Sequence, residues 1–259
     1  MATGVDRGGD PARSLALLWG DQRRSKQRSR SDLSVEKIVL TAIDLADADG
    51  LGVLSMRQVA QTLGVGVMSL YTYVPGKAEL IDVMLDTVYG ETAKPDDIEG
   101  GWRPKLELVA RENWALRLRH PWMLQIPSGR PSLGPNALAK YEFELRAVEG
   151  IGLSDLEMDS VVSLVSDHAE GAARRAVDAL RLERGSGMTD EQWWLVYGPL
   201  LSSVVDVERY PTAAKVGTAA GSAHGTAYPA EHAFDFGLER LLDGIEALVE
   251  HRAMGSGPA

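Results

Sequence analysis

The sequence predicts an all-α fold, a small N-terminal helical unit followed by a larger helical body. Three observations carry this reading. Apolar residues recur at three- and four-residue spacing in segment after segment, and alternating strand patterns are absent. Helix start signals such as Ser34 and Ser55 and stop signals such as Gly50 and Gly64 bracket the early segments. With 259 residues, 44% of them apolar, the chain can bury one small core and one larger one.

Residues 1–33 mix Gly, Pro, Ser, Asp and Arg without a sustained period and read as a flexible basic N-terminal arm. Leu15, Leu17, Leu18 and Trp19 interrupt it, either as a short docking helix or as residues that merely lie on the surface. Arg23, Arg24, Lys26, Arg28 and Arg30 are five positive residues with no negative one between them. Such a run suits a phosphate backbone or a minor groove, or else forms a solvated tail.

From Ser34 the spacing of Val35, Ile38, Val39, Ala42, Ile43 and Ala46 predicts a helix ended by Asp49-Gly50. A second short helix starts at Ser55, buries Val59, Ala60 and Leu63, and stops at Gly64. A third runs from about Met68 to Val74, and Pro75-Gly76 breaks the chain. Residues 34–76 thus form a three-helix unit. A fourth helix, from Lys77 to about Glu91, opens the second domain, 77–259, and joins the two. Beyond the linker from Pro95 to Gly101, helices are predicted at 102–120, 133–150, 154–184, 189–208 and 230–251, with a mobile loop from Pro211 to Pro229.

The segment from Ser55 to Val74 has the requirements of a helix-turn-helix: a small residue, Ala60, inside the first helix and a glycine, Gly64, at the turn. Its second helix presents Ser69, Tyr71, Thr72 and Tyr73 beside Leu70 and Val74. Hydroxyls bond phosphates and base edges, and Val67 and Met68 suit thymine methyls. Any one of these residues alone would suit a capped surface helix; the ordered string favours a DNA-reading unit.

The net charge of −10 agrees with this once it is divided. Residues 1–77 carry ten Lys and Arg against eight Asp and Glu, a net +2, so the remainder carries −12. Local charge dominates through salt, so an acidic body does not forbid a DNA-binding head. The chain has no cysteine, which removes disulfides and thiolate metal sites, and no cofactor is expected. The apolar run Leu15 to Trp19 is too short for a signal peptide and no stretch approaches a membrane span, so a soluble, cytoplasmic protein is expected.

Residues 34–90 resemble the N-terminal domain of the tetracycline-repressor (TetR) family of regulators, on the run Gly64-Val65, Ser69-Leu70-Tyr71-Thr72-Tyr73-Val74, Lys77 and Leu80. The resemblance implies base contacts from Arg57, Val67, Met68, Ser69 and Thr72, and backbone contacts from Ser55, Tyr71, Tyr73 and Lys77. The ending Phe234-Asp235-Phe236-Gly237-Leu238-Glu239-Arg240-Leu241-Leu242-Asp243-Gly244-Ile245 is similar to the family's C-terminal domain. That similarity implies a homodimer joined by a four-helix bundle. Two stripes suit it: Met158, Val161, Val162, Val165, Ala169, Ala172, Ala173, Ala176, Val177 and Leu180, and Phe234, Leu238, Leu241, Leu242, Ile245, Leu248 and Val249. Both stripes could instead serve the core of one chain.

A ligand pocket in such a body is lined by aromatics with a few polar groups. The candidates are Trp114, His120, Trp122, Met123, His168, Trp193, Trp194 and Tyr197, of which only some are expected to touch a ligand. Ile126 to Pro131 falls where tetracycline repressors carry a metal-binding histidine, and no histidine is there. A largely apolar effector other than a tetracycline and magnesium complex is therefore expected, acting on a repressor of a palindromic operator.

The rival readings are a helical scaffold acting through protein partners and, last, an all-α enzyme. Asp155, Glu157 and Asp159 lack the glycine and terminal glutamate of a calcium loop, and Asp96-Asp97 lacks the second acid pair of a diphosphate-binding enzyme. No HExxH, phosphate-binding loop or GxSxG motif is present.

Overall fold

The computed structural model describes residues 11–20, 33–95, 98–127, 129–225 and 229–255 and has eleven α-helices and one 3₁₀ turn among them. They are α1 (Pro11–Gly20), α2 (Val35–Asp49), α3 (Met56–Leu63), α4 (Val67–Tyr71), α5 (Lys77–Tyr89), α6 (Trp102–Arg119), the 3₁₀ turn Pro121–Gln125, α7 (Pro135–Arg146), α8 (Asp155–Ser186), α9 (Asp190–Val204), α10 (Pro211–His224) and α11 (Ala230–Gly255).

Local chemistry sets the head. Ser34 and Ser55 cap α2 and α3 by accepting from the Lys37 and Gln58 amides, a device worth about 1 kcal/mol each. Gly64 ends α3 in the left-handed region at φ 70°, which a side chain would resist, and its amide closes back on Ala60 and Gln61. The apolar faces of α2, α3 and α4 then bury Ile38, Val39, Ala42, Ile43, Val59, Ala60 and Leu70. The same core takes Leu80, Ile81, Met84, Leu85 and Val88 of α5, and Leu116, Trp122, Met123 and Ile126 from beyond it. Head and body therefore share one core.

A second core joins Leu106, Val109 and Ala110 of α6 to Val161, Val162, Val165, Ala169 and Ala172 of α8 and to Phe234, Leu238, Leu242 and Ile245 of α11. They include five of the ten residues in one stripe expected to form the dimer bundle and four of the seven in the other. Those nine pack within the protomer, while Leu180 and Leu248 of the same stripes stay exposed.

The apolar residues of the arm form the short docking helix, and one expectation about the body changes. The arm contains α1, which packs on α5; Leu17 sits against the head core, and the Trp19 indole N–H donates to the Leu133 carbonyl at 2.8 Å. The basic run from Arg23 to Arg30 lies outside the described residues. The loop expected from Pro211 to Pro229 is helical as far as His224. Pro211 at its first turn loses no hydrogen bond, and alanines favour the helix. Nothing in α10 is buried, so no apolar stripe marked it. No helix among the described residues is long and apolar enough to cross a membrane.

Candidate functional site

The helix-turn-helix holds its reading residues outward by burying their neighbours. Leu70 and Val74 are fully buried, while Arg57, Met68, Ser69, Tyr71 and Thr72 are exposed, Met68 at 77%. Val67 and Tyr73 are half-buried against the head core, so Met68 is the apolar side chain presented to a groove. The Ser55 oxygen is engaged by Gln58, which leaves its hydroxyl proton to donate outward. Lys77 donates to the Leu51 carbonyl at 3.0 Å, and burial lowers it from its ordinary 10.5. An ammonium has three protons, so two remain for phosphate.

The aromatic candidates do not converge. Trp114 stacks on Phe234 at 4.7 Å and lines a cavity of about 290 Å³ with Leu118, Ala176, Ala179, Leu180 and Ala230. His168 stacks on the other ring partner, Phe234 at 5.5 Å, and bonds the Phe234 carbonyl at 2.9 Å. A Cβ on Gly237 would overlap the His168 ring, so the glycine admits this contact between α8 and α11. Trp193 and Tyr197 stack on one another on exposed α9, and Trp194 lines a groove of about 640 Å³ between α9 and α10. Trp122 and Met123 are buried in the shared core.

His120 is buried at the end of α6 with a carboxylate on each ring nitrogen. Nδ1 lies 2.9 Å from Asp47 at the end of α2, and Nε2 lies 3.0 Å from Glu91 just beyond α5. A carboxylate only accepts, so both contacts are hydrogen bonds when both nitrogens carry protons. Arg119 adds a second bond to Glu91 at 2.9 Å. The body therefore grips the end of α2 in the head and the segment just past α5, the helix that joins the two. A parallel tie runs from Asp86 of α5, which accepts from the Ala137 amide at 2.9 Å and caps α7. Burial raises the Asp86 carboxyl above its ordinary 3.8 despite that bond and those from Asn136.

Sequence reasoning missed Asp47, Asp86 and Glu91. Asp86 had a visible signal, a carboxylate between Leu85 and Val88 on an apolar face. Behind the pair of ties, Asn113 donates to Glu144, Glu144 pairs with Lys140, and Arg117 donates to Asn113. This buried network fixes α6 against α7.

Burial alone would raise Glu91 above its ordinary 4.5, but the hydrogen bonds from His120 and Arg119 outweigh it and hold the carboxyl lower. A depressed acid stabilises the fold fully above its unfolded value, and that stability is lost as pH falls through the folded one. Glu91→Gln is expected to lose less stability than the parent as pH falls through and below the ordinary carboxylate value of 4.5, followed by urea unfolding. Equal losses would refute the tie.

A helix-turn-helix head gripped by a helical body with open pockets defines a ligand-responsive transcriptional regulator. A family model for the tetracyclin repressor-like C-terminal domain matches residues 94–249. The chain is 42% identical over 258 residues to the HTH-type transcriptional repressor DrrR1 of Streptomyces coeruleorubidus, across 99% of this chain and 93% of that one. Apo ActR of Streptomyces coelicolor is similar with a TM-score of 0.69 at 27% identity, over 86% of this chain and 99% of ActR. ActR in complex with actinorhodin gives 0.70 at 27% identity, over 84% and 97%. The chain belongs to the tetracycline-repressor family, whose members are regulators and not enzymes. Such regulators generally bind operator DNA and small effectors as homodimers. No group of three or more His, Asp or Glu side chains among the described residues could hold a metal ion.

Proposed function

We propose that the protein is a cytoplasmic repressor that binds a palindromic operator as a homodimer and is released by a small, largely apolar effector. The observation that carries the reading is the placement of α5. Its apolar face is built into the head core, while Asp86 and Glu91 at its far end are tied to the body. A displacement in the body must therefore move the reading helix α4. Similarity to a named repressor and to a regulator crystallised with actinorhodin supports the same reading.

The effector cavity is the one at Trp114. Its walls are apolar, its rim carries Glu183, Asp190 and Glu231, and the Trp114 indole N–H has no hydrogen-bond partner in the protein. For the second copy, α9 supplies surface: it buries no residue, and Leu195, Leu200 and Val204 are 68%, 58% and 78% exposed. Apolar exposure on this scale suits a dimer interface better than solvent.

The experiment is selection of duplexes from a random pool, followed by binding of single-site variants. Lys77→Ala is expected to weaken all duplexes by a similar factor and to lower the salt slope by about one ion. Tyr71→Phe is expected to weaken them uniformly without changing the slope. Arg57→Ala is expected to relax preference at one base position, by about 1–3 kcal/mol. Selection of no common sequence, or full affinity in Lys77→Ala, would refute the assignment.

A further inference from the structure

A separate cleft of about 460 Å³ lies where the end of α2 meets the body, walled by Leu118 and Trp122 on one side and by Val177 and Leu180 of α8 on another. Leu118 and Leu180 also line the Trp114 cavity, so two side chains divide the two spaces. Its volume is within the range of small-molecule sites.

The polar groups around this cleft are unequally committed. Asp47 is taken by His120, and Arg181 pairs with Asp178 at 3.4 Å. Trp122 is completely buried, yet its indole N–H has no hydrogen-bond partner in the protein. A buried donor is ordinarily satisfied, so an orphan one on a cavity wall marks a place for an acceptor. Gln125 and Arg184 line the same cleft with no hydrogen bond or ion pair among the described residues, and Asp49 is the only uncommitted carboxylate there. Unused donors thus outnumber unused acceptors, and the walls between them carry the apolar side chains Leu118, Trp122, Val177 and Leu180.

We propose that this junctional cleft is a second small-molecule site, distinct from the Trp114 cavity, and that it takes a flat aromatic acid. The ring lies between Leu180 and the Trp122 wall, an oxygen accepts from Trp122, and the anionic group meets Arg184 at the mouth. The site adjoins Asp47, whose carboxylate holds His120, so an occupant presses on the grip between head and body. The binding site itself does not depend on the repressor reading; only that consequence does.

The test is calorimetric titration of the full chain with 2-naphthoate, its neutral methyl ester and 2-naphthylmethylammonium. Saturable binding of the acid, one per protomer and tighter than either analogue, is expected. Arg184→Ala should weaken the acid about tenfold, as loss of a charge-assisted hydrogen bond does, and leave the ester unchanged. Trp122→Phe should weaken both acid and ester about threefold; Arg184 is exposed, so its variant keeps the test valid if Trp122→Phe misfolds. Ala179→Leu narrows only the Trp114 cavity and should leave the acid's affinity intact. No saturable binding, tighter binding of the ammonium compound, or indifference to Arg184→Ala would overturn the proposal. Loss of the acid in Ala179→Leu would also overturn it, by placing the acid in the effector cavity. Failure to bind duplex DNA would sink the repressor reading and leave this result untouched.

Discussion

His120→Ala is expected to lower stability by about 2–3 kcal/mol, because it deletes two hydrogen bonds to carboxylates at once and leaves a void under Trp122. Water reaches part of the gap, since the Asp47 and Glu91 side chains are 29% and 36% exposed, which keeps the loss below that of a sealed ion pair. The sharper measurement is a double-mutant cycle with Asp47→Asn. If His120 joins head to body as the distances indicate, the pair should couple by about 1 kcal/mol or more in urea unfolding. Additive losses would mean that the ring fills space and transmits nothing.

Gly134→Ala should cost a comparable amount, about 2–3 kcal/mol, for a steric reason. A Cβ at this position would overlap the Asp86 carboxylate, which is 5% exposed and lies against the start of α7. Asp86 cannot retreat: α5 is packed between the head core, α1 and α7. The added methyl must therefore push the carboxylate off the Ala137 amide and separate lever from body. In an Asp86→Ala background the same substitution should cost much less, because nothing remains to clash. Equal cost in both backgrounds would contradict the contact.

The head was legible in the sequence because what defines it is local. Ser55, Ala60, Gly64 and Leu70 lie within one short stretch, and each does where it stands what its chemistry implies. The body was legible as helices but less so as an assembly. Spacing shows that Val165 and Ala169 will be buried; it does not show that α6 and α11, and not a second chain, bury them. In α10 exposure erased the periodic signal altogether. Aromatic residues were an ambiguous guide to a ligand, since Trp122 serves the core and lines a cleft while Trp193 is spread on an outer helix. The tie from His120 to Asp47 spans 73 positions, and to Glu91 it spans 29, so only the fold brings the three together.

Two copies of this head that read one operator in fixed geometry make affinity depend on half-site spacing. Once a palindromic duplex has been selected, its affinity is compared with that of a duplex carrying about five extra base pairs between the half-sites, half a helical turn. Two heads on one dimer would then face opposite sides of the DNA. Two protomers per selected duplex are expected, with an affinity loss of about a hundredfold or more on insertion, largely recovered when about ten base pairs are inserted instead. Affinity indifferent to the spacing, or one protomer per duplex at saturation, would contradict it.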